Sequence, residues 1–231
     1  PNIADWPKII EMPEHLLLKN CCVIHDPVTT TDELIPSGET STLRSNPYKL
    51  SEFTLSRKAP YYVGKAKNVR KNEESRQQGS ALEAEYTEVL EVAKTFVGNL
   101  STDSFAISSM IYANLPGDGS AREQAASCQK VLGGWANIAQ GYATKRYRSN
   151  LINWGILPLL CNEETALMLE EDQFIFLPNI KNAVLSAQED IEGYIIKQGK
   201  AQRITLSLGS MTETERDILT SGGLINYYSK K

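Results

Sequence analysis

A mixed α/β fold is predicted by three features of the sequence. Apolar residues fall at helical spacing from Leu82 to Val97, an apolar run of strand length covers Phe105 to Ala113 and leads into a glycine-containing turn, and short helix and strand signals alternate from there to the C-terminus. With 231 residues, 41% hydrophobic and 23% charged, the chain has globular composition and length for one large domain or two small ones. It shows no internal repeat and no low-complexity tract, and we read residues 1–231 as a single domain.

Taken in order, residues 1–20 read as a possible linker arm, with the apolar run Leu16 to Ile24 forming a buried strand that overlaps its end. The vicinal pair Cys21–Cys22 lies in that run and reads as buried strand rather than redox chemistry, because free cysteine behaves as a small hydrophobe. Asp26 to Pro47, rich in Thr, Ser, Pro and Gly, and residues 59–79, rich in Lys, Arg, Asn and Gln, read as polar surface loops. The cations between Arg57 and Arg76 suit solvated charge better than a phosphate-contacting patch. Ser80 is placed to cap the helix that carries Leu82, Tyr86, Val89, Leu90, Ala93, Phe96 and Val97.

The strand Phe105–Ala113 ends at the turn residues Asn114, Pro116, Gly117 and Gly119. A helix then runs from Ser120 to about Leu132 and closes at Gly133-Gly134, where glycine takes the left-handed conformation. A strand at Trp135–Ala139 follows, then helical character over Tyr142 to Trp154 that Gly155 and Pro158 break. Tyr194 to Leu208 resembles a hairpin, and Thr212 with Glu215 makes a capping box for a final helix.

Charge narrows the function classes. Lys and Arg total 24 against 28 Asp and Glu, a net charge of −4, whereas nucleic-acid and anionic-membrane binders reward a strongly positive surface. No apolar run reaches the roughly 20 residues of a spanning helix, and the regions of a signal peptide are missing from the N-terminus, so a soluble, cytoplasmic protein is expected. A start at Pro1 suggests a piece of a larger multidomain protein. Cys21, Cys22, Cys128 and Cys161 form no CxxC pair, and the histidines are His15 and His25, so no metal-ligand set is expected in this chain.

Chemistry concentrates in Pro116-Gly117-Asp118-Gly119-Ser120-Ala121-Arg122-Glu123-Gln124, a glycine turn between a predicted strand and a predicted helix N-terminus. Orphan N–H groups and the positive end of the helix dipole point over such a turn, and Arg122 adds a possible bidentate grip on a carboxylate. Two readings stand side by side here. Ser120-x-x-Glu123 is also an ordinary capping box, although a cation in the first turn works against the dipole and gives Arg122 a reason to face a ligand. Gly117-x-Gly119 lacks the third glycine of a dinucleotide fingerprint and the Lys-Ser/Thr of a P-loop.

Gly-Asp-Gly-Ser-Ala-Arg-Glu-Gln-Ala resembles the Gly-x-Gly-Ser-Ser-Arg-Glu-His-Ala signature of the C-terminal swivelling domain of the aconitase family. Upstream, Thr30-Thr31-Asp32 with Pro36-Ser37-Gly38 and then Arg44 is similar to the family's Thr-Thr-Asp-His-Ile segment and its following arginine. Downstream, Leu132 to Ala136, and Arg148 to Leu151 with Gly155 to Leu159, resemble the stretch that packs behind the signature. The blocks occur in family order over about Thr30 to Leu160.

The resemblance implies a swivelling three-layer β/β/α domain and an aconitase-type hydro-lyase acting on a hydroxy-polycarboxylate. Ser120 matches the serine that removes a proton, Arg44 and Arg122 match arginines that hold substrate carboxylates, and Gly117, Gly119 and Ala121 fall in the substrate-binding turn. It also implies a four-iron, four-sulfur (4Fe-4S) cluster in other domains of the same protein, with none in this chain. Ala121, Gln124 and Glu33 depart from the family's Ser, His and His, leaving the identity of the acid open. Two other outcomes remain: a separate small subunit of an isopropylmalate-isomerase-like dehydratase paired with a large one, and a non-catalytic anion- or RNA-binding relative.

Overall fold

The computed structural model describes residues 10–230. Its frame is a seven-stranded sheet in the order β6 (Leu157–Leu160), β5 (Gly134–Ala139), β3 (Phe105–Ala113), β1 (His15–Ile24), β7 (Phe174–Leu177), β8 (Ile191–Lys197) and β9 (Lys200–Leu206). The first four strands are mutually parallel, and β7, β8 and β9 join antiparallel. A two-stranded parallel ribbon, β2 (Thr29–Thr30) with β4 (Pro116–Asp118), stands apart from the sheet.

The sheet curls until its edges meet. Leu160 and Ser207 exchange two backbone hydrogen bonds, at 2.7 and 2.9 Å, tying the end of β6 to the residue after β9. One face encloses Leu16, Leu18, Met110, Ile138, Leu177 and Ile204 together with residues of α8 (Ile180–Leu185) and α9 (Glu213–Thr220). The other packs Leu17, Ile24, Ile107, Ile111 and Phe176 beneath the helices from α2 (Pro47–Ser51) to α6 (Lys145–Asn153). Both faces of β1 and β3 are covered, which is why these strands read as continuous apolar runs without alternation. The mixed α/β class therefore holds.

The β1–β3 register slips between Asn20 and Cys22, leaving Cys21 as the extra residue of a bulge. Both vicinal cysteines are free and buried, in agreement with their reading as strand.

Four expectations need correction. Residues 59–79 are not a polar loop: α3 (Tyr62–Gln77) is a 16-residue helix whose buried positions are Tyr62, Ala66, Val69 and Asn72. That stripe is too thin to register as apolar periodicity, while the Lys, Arg, Glu and Gln around it are good helix formers joined by pairs such as Arg70–Glu74 and Arg76–Glu73. Residues 1–20 are not all linker, because His15 to Asn20 lie in the central strand; residues 1–9 fall outside those described. Ser80 is not a helix cap either. Its N–H donates to the Ser75 carbonyl, and α4 (Ala84–Val97) starts after Glu83, whose N–H is taken by the Asn72 side chain. The region 26–47 is more ordered than expected, holding β2, the short helix α1 (Thr31–Leu34) and a 3-10 turn at Ser41–Leu43.

The expected hairpin is β8–β9, turning through Gln198 and Gly199 with φ of 51° and 71°. Thr212 and Glu215 form the expected capping box on α9. A further helix, α10 (Leu224–Ser229), follows it. Among the described residues no helix is long and apolar enough to cross a membrane.

Candidate functional site

Parallel strands β1 and β3 end side by side, and the glycine turn leaves from the carboxyl end of β3. The Asn114 N–H donates to the Ile24 carbonyl at 3.1 Å and the Thr29 N–H to the Leu115 carbonyl at 3.0 Å. These bonds hand the chain into the β2–β4 ribbon, which pairs Thr29 with Pro116 and Thr30 with Asp118. Gly119 and Ser120 follow, both exposed, and Ala121 is the N-cap of α5 (Arg122–Val131).

Two glycines in the turn are required by space as well as by φ. At Gly117, φ 102°, a Cβ would lie 2.2 Å from Tyr147 Cδ1. At Gly119, φ 131°, it would lie 2.3 Å from Thr31 Oγ1. Both backbones use a region that only glycine enters cheaply. Thr31, 2% exposed, accepts the Ala121 N–H on its hydroxyl at 3.3 Å, so the Thr-Thr-Asp block and the glycine block meet in space. On the other side, Thr144 donates its hydroxyl to the Gly117 carbonyl at 3.2 Å and accepts the Tyr147 N–H at 3.1 Å.

The Ser120–Glu123 capping box does not form. Ala121 caps α5 without a side-chain bond, and Glu123 instead accepts the Trp154 indole N–H at 2.7 Å. The Ser120 hydroxyl has no hydrogen bond among the described residues, and the first-turn amides of α5 receive no side-chain oxygen. Arg122 has no ion-pair partner among the described residues, and its Nε is buried without a hydrogen-bond acceptor. A serine hydroxyl, uncapped helix amides and an unsatisfied guanidinium nitrogen thus share one turn. An oxyanion is the group that would satisfy them.

Gly117, Gly119, Ser120, Ala121 and Arg122 are brought together; Arg44 is not joined to them directly. It follows the 3-10 turn Ser41–Leu43, is exposed, and makes no hydrogen bond or ion pair among the described residues. Three residues on, α2 begins and packs against α5, which puts Arg44 on the α2–α5 side of the domain.

Glu33, where the family pattern has histidine, has a local job. Its carboxylate takes the Thr30 N–H at 2.7 Å while the Thr30 hydroxyl takes the Glu33 N–H at 3.2 Å, and Lys58 pairs with it at 3.4 Å. Asp32 is likewise engaged, by Ser37 and Arg57. Burial pushes the thiols of Cys21, Cys22 and Cys128 up to about 12 and that of Cys161 to about 11, keeping them protonated. They lie apart in β1, in α5 and after β6, and among the described residues no group of three His, Cys, Asp or Glu is arranged to hold a metal ion. The described residues of this chain therefore do not fit an iron–sulfur cluster of their own.

Thr144 and Tyr147 were not singled out in sequence. Thr144 precedes a helix at capping distance, a readable signal, but nothing local tells that the Tyr147 ring abuts Gly117.

Residues 61–164 match the family model for the aconitase C-terminal domain, a span that includes the glycine turn and α6 but not the Thr30–Arg44 block. Aconitate hydratase A of Bradyrhizobium diazoefficiens is 31% identical over 118 residues, 50% of this chain and 13% of that protein. The methanogen homoaconitase small subunit of Methanocaldococcus jannaschii is 32% identical over 116 residues, 50% of this chain and 58% of that subunit. The matches thus span under two thirds of either curated relative. In fold, the chain is similar to the 3-isopropylmalate dehydratase structure from Methanocaldococcus jannaschii, with a TM-score of 0.51, 21% identity and 95% of each chain covered. Motif and family match agree: over residues 61–164 the chain is similar to the aconitase C-terminal domain.

Proposed function

We propose that this chain is the substrate-gripping and proton-abstracting domain of an aconitase-type hydro-lyase that acts on a hydroxy-polycarboxylic acid. It works against iron–sulfur-bearing domains and does not turn over substrate alone. Ser120 takes the proton from the carbon next to a substrate carboxylate. Arg122 and the α5 N-terminal amides stabilise the resulting charge, and Arg44 holds a second carboxylate when the domain closes. A serine hydroxyl is a poor base in water, so this role depends on those nearby cations and amides. Loss of the substrate hydroxyl is assigned to the partner.

The single observation behind this reading is the buried, unpartnered Nε of Arg122 beside an uncapped helix start. It is tested by titrating the isotope-labelled chain with propane-1,2,3-tricarboxylate, a tricarboxylate with no hydroxyl to eliminate. Amide resonances of Gly117 to Glu123 and the Arg122 Nε–H should move together. Shifts scattered over the surface, or none, would overturn the assignment.

The cluster-bearing partner is either the rest of one polypeptide or a separate large subunit. The second arrangement is supported by the fold likeness over 95% of the 3-isopropylmalate dehydratase chain and by a relative that is itself named a small subunit. The likeness to aconitate hydratase A, which is covered over 13% of its length, supports the first.

A further inference from the structure

Behind the glycine turn lies a buried chain of side chains with no obvious reason to be polar. Asn137 of β5 donates its amide to Gln129 Oε1 at 2.7 Å, and Gln129 of α5 donates to the Tyr147 hydroxyl at 3.1 Å. Asn137, Gln129 and Tyr147 are 4%, 1% and 0% exposed. The Tyr147 ring ends this chain against Gly117, where three of its side-chain atoms fall between 2.2 and 2.6 Å from the place a Cβ would occupy. Thr144, at the start of the same helix, holds the Gly117 carbonyl. One wall of the turn is therefore a ring tied at its far end to the sheet.

We infer that Tyr147 is a positioning residue for the turn, and that the Asn137–Gln129–Tyr147 chain fixes the peptide plane at Gly117 and, through it, the approach of Ser120 to an anion. The inference rests on the reading of that turn as a carboxylate site. Apolar residues would pack this space as well, but a hydrogen-bonded ring has a single depth and tilt. A polar chain that is satisfied at each link specifies that arrangement, whereas a sliding apolar contact does not. Small displacements matter because misplacement on the order of 1 Å at a reacting centre costs about a hundredfold in rate.

Tyr147→Phe removes only the hydroxyl and unties the ring from Gln129, whereas Tyr147→Leu removes the ring as well. In the free chain, amide resonances of Gly117, Gly119 and Ser120 should move in Tyr147→Phe. Its dissociation constant for propane-1,2,3-tricarboxylate should rise about threefold, and that of Tyr147→Leu roughly tenfold or more. Leu90→Ala, a truncation in the same core cluster but on α4, should lower the melting temperature and leave that constant unchanged. Unmoved turn resonances and unchanged affinity in Tyr147→Phe overturn the inference, as does equal weakening by Leu90→Ala. A wild-type chain that shows no titration at the turn removes the carboxylate reading itself, a result distinct from any difference among variants.

Discussion

The hydroxyl of Thr31 accepts the backbone N–H of Ala121, a contact across 90 residues of sequence, and the same oxygen occupies the space a Gly119 side chain would need. One buried oxygen thus sets both the height and the identity of the residues that flank Ser120. Thr31→Val keeps the shape and leaves the Ala121 N–H buried without an acceptor, for which a loss of about 1–3 kcal/mol is expected. Thr31→Ser should recover most of it. Urea unfolding of the two variants measures the difference, and equal stabilities would show that the bond contributes nothing.

Ser120→Ala should change stability by no more than about 0.5 kcal/mol, since the hydroxyl is exposed and bonded to nothing described. A serine that capped α5 would cost about 1 kcal/mol. In the complete enzyme, reconstituted with iron and sulfide, the same variant should abolish formation of the unsaturated acid. Unchanged turnover would remove Ser120 as the base.

Glu33→Ala should cost about 1 kcal/mol, because it removes the carboxylate that accepts the Thr30 N–H and hydroxyl and frees Lys58 from one partner, while the residue 33 N–H still reaches the Thr30 hydroxyl. Thermal unfolding reads this directly. Affinity for propane-1,2,3-tricarboxylate should stay near wild type, and a large loss of affinity would place Glu33 in the site after all.

Lys130 makes stability depend on pH. Its ammonium lies 3.4 Å from the centroid of the Trp135 ring and donates to the Gly155 carbonyl at 3.2 Å, yet burial pushes its pKa down to about 7. The unfolded chain holds that proton up to an ordinary lysine value near 10.4. Between the two values the unfolded state binds more protons, so stability rises with pH across that window and is lost as pH falls toward 7. The ring face and the carbonyl favour the ammonium and reduce the effect to about 1–2 kcal/mol between pH 7 and 9. Denaturant midpoints at these two pH values should differ in the wild type and converge in Lys130→Met; parallel curves would show that Lys130 does not titrate there.

Much of the architecture was legible because the chain states it locally. Phe105–Ala113 is buried on both faces and reads as one apolar run, the Thr212–Glu215 box announces α9, and Gly133 marks the end of α5 with φ 92°. Helix α3 was not legible, since its buried stripe includes an alanine and an asparagine and its stability leans on ion pairs formed across turns and with Glu52. The glycine turn was found by its residues. Its supports were not, because Thr31 and Tyr147 act on it from 88 and 30 positions away, counted from Gly119 and Gly117, and only the fold brings them near. Ser120 and Glu123 were spaced for a capping box, yet the Trp154 indole takes the glutamate, a competition invisible to spacing.

The place of β1 bears on how the protein can be cut for study. Residues 61–164 hold β3, β5 and β6, but the strand that shields the other flank of β3 comes from residues 15–24, and the partner that meets β6 comes from Ser207. A product trimmed to the matched span would bare both borders of a three-stranded remnant, a template for self-pairing between copies. Useful expression boundaries therefore begin before His15 and run past Ser207, well outside the stretch that the family likeness picks out.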